Sequence, residues 1–134
     1  MPSQKKTAGN HWRGTGTVLI VDDEQSVLMM IAQMVEMLGF TALRSRDGAD
    51  GIEIFRTHVR EIVLVLLDIT MPQLSGEQVF HEICRIKPDA RVFFMSGYME
   101  EDTIGGISGK GIAGFIQKPF ALSDLREKIK AALG

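Results

Sequence analysis

Residues 62–67 read Ile-Val-Leu-Val-Leu-Leu, an unbroken apolar run that ends on Asp68. Side chains alternate between the two faces of a strand, so a strand apolar at every position must be covered on both sides. That is the situation of a central strand in a parallel sheet between two helical layers. Shorter runs at 17–21, 91–95 and 113–117, and a weaker one at 41–44 expected near the sheet edge, supply four more candidate strands.

The stretches between them carry helical periodicity. In 24–38, Val27, Ile31, Met34 and Leu38 recur at spacings of four, three and four, and Gly39 follows as a stop. A second helix is expected over 49–58. A third, over 76–86, opens on Ser75 with Gln78 three residues on, the pattern of a capping box. A last helix should run to about Leu133 with Ser123 as its N-cap. The fourth should occupy 100–111, but Gly105, Gly106, Gly109 and Gly111 each cost roughly 0.5–1 kcal/mol relative to Ala in a helix. It is expected to be short or frayed.

Five strands alternating with five helices predict an α/β, doubly wound, flavodoxin-like three-layer sandwich with a five-stranded parallel sheet. The 134 residues suffice for one such domain, here 17–134, after a Lys-, Ser- and Gly-rich tail over 1–16. Cys84 is the only cysteine, so no internal disulfide framework exists and a reducing, cytoplasmic setting is expected. A net charge of −2 with mixed signs gives no nucleic-acid footprint. The apolar runs are too short to span a bilayer, and the N-terminus lacks a signal-peptide core. Neither nucleic acid nor direct membrane contact is expected.

In open parallel sheets, ligands bind beyond the carboxyl ends of the strands. Asp22, Asp23 and Glu24 follow the first strand, Asp68 the third, Ser96 the fourth, and Lys118-Pro119 the fifth. Each alone has a plain reading as a helix-start acid, a turn residue or a solvated charge. Together they place carboxylates, a hydroxyl and an ammonium on one edge. Clustered carboxylates repel unless protonated or neutralised, and an all-oxygen set suits Mg²⁺ (or Mn²⁺) better than Zn²⁺. Such a site suits phosphoryl transfer, with Asp68 placed to act as nucleophile.

These residues resemble the receiver family of response regulators. The matching pieces are Val-Asp-Asp-Glu at 21–24, Leu-Asp-Ile-Thr-Met-Pro at 67–72 with Gly76 following, Met-Ser-Gly at 95–97, and Lys-Pro-Phe at 118–120. The resemblance implies the strand order 2-1-3-4-5 and makes Asp68 the phosphoacceptor. It makes Asp22, Asp23, Asp68 and the Thr70 backbone carbonyl the Mg²⁺ ligands. Ser96 and Lys118 become the groups that meet the phosphate, Phe115 the aromatic switch position, and the peptide before Pro119 cis. Phe at 115 departs from the Tyr common in the family and cannot hydrogen-bond through a hydroxyl. Thr70 and Tyr98 leave the phosphate lifetime open.

The resemblance further implies a switch rather than an enzyme. It takes phosphate from a histidine kinase or histidine phosphotransfer domain and remodels the face of the fourth helix, fifth strand and last helix. Trp12-Arg13-Gly14-Thr15-Gly16, Ser96-Gly97-Tyr98 and 114–120 look most like receivers at the C-terminal end of hybrid sensor histidine kinases, so the kinase core of a parent chain is a further candidate partner. A monomer or weak homodimer is expected. Met29, Met30 and Met37 cannot all face the core with Met34, so some should form a soft docking patch. His11, His58 and His81 lack metal-ligand spacing.

Three other readings fit these residues less well. Haloacid-dehalogenase-type phosphatases carry Asp-x-Asp after the nucleophile strand, whereas Thr70 stands there here. A receiver-like interaction module independent of phosphorylation would not need every acidic, hydroxyl and lysine position retained. A nucleotide-binding reading fails because Gly14-x-Gly16 precedes the first strand.

Overall fold

The structure, a computed structural model, describes residues 14–69, 71, 74–97 and 113–133. Five strands are present: β1 (Thr17–Val21), β2 (Thr41–Ser45), β3 (Ile62–Asp68), β4 (Val92–Ser96) and β5 (Gly114–Gln117). Four helices lie among the described residues: α1 (Gln25–Met37), α2 (Gly48–Thr57), α3 (Gly76–Ile86) and α4 (Leu122–Leu133). All strand pairs are parallel, in the order β2-β1-β3-β4-β5. The expected helix over 100–111, Thr70, Tyr98 and the segment 1–13 lie outside the described residues.

The pleat divides the core into two layers. Val18 and Ile20 of β1 and Leu64 and Leu66 of β3 pack with Ile31 and Val35 of α1 and Leu125 and Ile129 of α4. Leu19, Val21, Val65 and Leu67 point the other way, against Phe55 of α2 and Phe80 and Ile83 of α3. The run 62–67 is therefore consumed by both layers, as its lack of alternation requires. The edge position of β2 also agrees with its weak pattern.

Capping follows local chemistry. Gly39, at φ 105°, ends α1; its N–H donates to the Glu36 carbonyl and the Phe40 N–H to that of Val35, the paired bonds of a Schellman motif. Ser75 and Gln78 form the capping box of α3, with the Ser75 N–H donating to Gln78 Oε1 at 2.8 Å and the Gln78 N–H to Ser75 Oγ at 3.3 Å. Ser75→Ala is expected to lower the unfolding free energy by about 1 kcal/mol, measured by urea denaturation, with the denaturant slope unchanged.

Two expectations shift. The buried stripe of α1 centres on Leu28, Ile31, Ala32 and Val35, with Val27 and Met34 only half-buried at its margins. α4 begins at Leu122, which places Ser123 inside the helix rather than at its cap. Asp124 performs the cap-side bonding instead, its carboxylate accepting the Ala121 N–H at 3.0 Å. At the other end of the fold, Gly14–Gly16 are tied to it: the Gly14 N–H donates to the Leu38 carbonyl at 2.8 Å, and the Gly16 carbonyl accepts from Thr41.

Candidate functional site

The carboxyl ends of β1, β3, β4 and β5 bring Asp22, Asp68, Ser96 and Lys118 to one edge. Asp22 leaves β1 fully buried, an arrangement a lone carboxylate would not tolerate without partners. It has three. Its N–H donates to the Ser45 carbonyl at 3.0 Å, tying the ends of β1 and β2 together. Its Oδ1 accepts the Glu24 N–H at 2.9 Å, and its Oδ2 accepts from Lys118 Nζ at 2.9 Å. The second bond is charge-assisted and links residues 96 positions apart in sequence.

Asp68, the last residue of β3, is also buried, and its Oδ1 lies 3.7 Å from the same ammonium. Asp22, Asp23 and Asp68 each offer a carboxylate oxygen within 4.8 Å of the others, with Asp23 the one open to solvent. Three anionic oxygens at such separations face one lysine, so a divalent cation would relieve the excess negative charge. The donor set fits Mg²⁺: hard oxygens, two of them held by the fold, with an open side for water and a phosphate.

Lys118 is positioned by its main chain as well as its side chain. Its N–H donates to the Ser96 carbonyl at 2.7 Å, and the peptide to Pro119 is cis. Burial alone would lower its pKa. The hydrogen bond to Asp22 and the charges of Asp68, Asp22 and Glu24 outweigh that and hold it above the ordinary lysine value of 10.5. The ammonium is therefore charged at every pH where the protein would work.

The β3–α3 connection is held close. The Gly76 N–H donates to the Ile69 carbonyl at 3.3 Å, and a Cβ on Gly76 would stand 2.7 Å from both the Asp68 carbonyl oxygen and the Ile69 Cα. Those are main-chain atoms next to the central carboxylate. Gly76→Ala is expected to cost about 1–3 kcal/mol and to slow any chemistry at Asp68, measured by thermal melting alongside phosphorylation rate.

Phe115 does not join the cluster. Its ring stacks on Phe94 at a centroid distance of 5.9 Å, and Phe94 in turn meets Phe80 edge-on at 5.5 Å. Phe115 thus joins the core layer beneath α2 and α3, three residues back along β5 from Lys118. His58 and His81 stand on exposed surface beside Glu61 and Glu77, away from the acids. Ser45 was not legible as a site residue. Its hydroxyl donates to the Asp47 carbonyl at 2.8 Å and lies 3.0 Å from Asp50 Oδ2, which holds the loop whose carbonyl anchors Asp22.

Comparison with known proteins gives the family. The family model described as "Response regulator receiver domain" matches residues 18–130. The chain belongs to that family, the phosphoacceptor modules of two-component systems. It is 31% identical over 120 residues to the sensor kinase CckA of Brucella abortus, covering 90% of this chain and 13% of that kinase. It is 32% identical over 117 residues to the chemotaxis protein CheY of Bacillus subtilis, covering 87% and 96%. Among solved structures, the CheX–CheY–BeF₃–Mg²⁺ complex from Borrelia burgdorferi contains a chain that superposes with a TM-score of 0.84 at 28% identity, covering 89% and 90%. The chain spans less than half the length of several curated relatives it matches, 13% of the CckA kinase and 45% of a probable transcriptional regulator ycf27 among them. Among the described residues, no helix is long and apolar enough to cross a membrane.

Proposed function

We propose that the chain is a Mg²⁺-assisted switch that accepts a phosphoryl group on Asp68 from a phosphohistidine of a histidine kinase or phosphotransfer partner. The observation that carries this reading is the convergence of Asp22, Asp23, Asp68 and Lys118 at one sheet edge. An Asp68 oxygen attacks phosphorus, the N–P bond to the donor imidazole breaks, and an acyl phosphate forms on Asp68. Lys118, held by Asp22, presents its ammonium to a phosphoryl oxygen, and Ser96 stands at the end of β4 to offer its hydroxyl to another. Bound through Asp22, Asp23, Asp68 and the Thr70 carbonyl, Mg²⁺ would neutralise the charge that develops on the transferring oxygens. Water attack on the acyl phosphate returns the free carboxylate, so the chain is a switch and not an enzyme with its own substrate.

In this reading the switch is two-state. Drawing Ser96 toward the phosphate frees the β4 end, and Phe115, stacked on Phe94, repacks with it. The remodelled face includes β5 and α4. Met29, Met30 and Met37 are exposed on α1, with Met37 the most open at 62%, and offer a soft surface to a helical donor. A folded unit over 17–134, with Gly14 and Gly16 hydrogen-bonded to it, and a cytoplasmic setting, alone or within a hybrid kinase, suit this chemistry.

Beryllofluoride, which mimics the phosphoryl group, tests the switch. Its addition with Mg²⁺ is expected to shift amide resonances around Asp68, Ser96 and Phe115, and to raise the thermal midpoint by mass action. Neither ligand alone should reproduce the full change. An unchanged spectrum with both present would favour a module that works without phosphorylation.

A further inference from the structure

We infer that a cleft at the opposite, amino-terminal edge of the sheet binds a compact oxyanion of the phosphate class, free or as the end group of a larger molecule. The cleft has a volume of about 120 Å³. Since about 10–15 Å³ of such space already holds one water, this is ample room for a tetrahedral anion.

The cleft exists because β3 starts before its neighbour. β3 begins at Ile62 but pairs with β4 only from Val65, opposite Val92. On its other side, β1 pairs with Ile62 and Leu64 and steps past Val63. Val63 therefore has no register partner on either strand, and the first residues of β3 line a notch in the sheet.

Three cations line that notch from separate places in the chain: Arg60 before β3, Lys87 at the end of α3, and Arg91 before β4. Asp89 is the one carboxylate in the lining. Among the described residues, no acid lies within ion-pair distance of Arg60, Lys87 or Arg91, whereas Arg56 and Arg85 pair with Glu53 and Glu82. A lining with two more positive charges than negative attracts an anion, and guanidinium forks match phosphate oxygens in pairs. The position, at the far end of the strands from Asp68, allows binding without competition with phosphoryl transfer.

The test titrates the intact chain with inorganic phosphate, without divalent cations and at constant low ionic strength, followed by amide NMR. Saturable shifts are expected at 62–65 and 89–91. Arg91→Gln and Lys87→Gln should each weaken binding roughly tenfold or more, with thermal midpoints unchanged. A second arm uses glycerol 2-phosphate. Comparable binding assigns the cleft to a phosphate end group, and loss of binding assigns it to the free ion. Shifts that never saturate and that chloride reproduces would overturn the site, as would saturable binding that both glutamine variants leave intact.

Discussion

Asp68→Asn is expected to take up no phosphoryl group from any donor while remaining at least as stable as the unaltered chain. The two halves of this result have one cause. The Asp68 carboxylate shares its space with the carboxylates of Asp22 and Asp23 and meets a single ammonium at 3.7 Å. That ammonium is already closer to Asp22, at 2.9 Å. Among the described residues, two like charges against one shared opposite charge put an electrostatic burden on Asp68 in the free fold. An amide of the same shape relieves that burden and removes the nucleophile. Thermal melting beside a phosphorylation assay checks both halves at once. A strongly destabilised Asp68→Asn would show that the residue is there for structure.

Lys118→Ala should move both quantities downward. The Lys118 side chain is 19% exposed and that of Asp22 is fully buried, so the pair counts as a buried one. Removing one partner leaves an uncompensated buried carboxylate, which typically costs about 3–5 kcal/mol. Two further acids beside it deepen the loss. Phosphorylation should slow by about 10²–10³-fold, the usual effect of deleting one electrostatic stabiliser of a transition state. Mg²⁺ should recover more stability in this variant than in the unaltered chain, because it replaces the missing positive charge. The raised Lys118 pKa adds a pH signature. Its stabilising contribution is fully present below the ordinary lysine value of 10.5 and fades as pH rises through the folded value. Lys118→Ala should lack that alkaline loss. Chemical denaturation across pH 8 to 11.5 reads the difference.

The two predictions separate residues that the sequence presents alike. Asp22 and Asp68 both follow apolar strands, and nothing local distinguishes the carboxylate that hydrogen-bonds Lys118 at 2.9 Å from the one 3.7 Å from it. That distinction depends on a contact across 96 residues, which periodicity cannot reveal. What was legible was the edge itself. The unbroken run ending on Asp68, together with acids, Ser96 and Lys118 after neighbouring runs, marks one edge of the sheet in the sequence alone. The helix caps at Gly39 and Ser75 were legible for the same reason, since each rests on chemistry within a few residues.

Where the reading slipped, tertiary context decided. The α1 stripe centres on Leu28, Ala32 and Val35 because the sheet beneath sets which side faces inward, and several spacings fit one amphipathic sequence. Ser123 looked like a cap by type, yet α4 starts one residue earlier, with the Asp124 carboxylate bonded back to the Ala121 N–H. Ser45 gave no signal, because its carbonyl serves Asp22 and a carbonyl is the same in every residue. Gly76 matched a motif, but its reason is a main-chain approach of 2.7 Å to the residue that carries the chemistry.

The most direct measurement is the intact mass of the chain after incubation with acetyl phosphate, with Mg²⁺ and with Mg²⁺ chelated. The account predicts one added phosphoryl group, dependent on Mg²⁺, labile as an acyl phosphate is, mapping to Asp68 and missing from Asp68→Asn. Folded protein that gains no mass with Mg²⁺ present, or that gains it equally in Asp68→Asn, would contradict it.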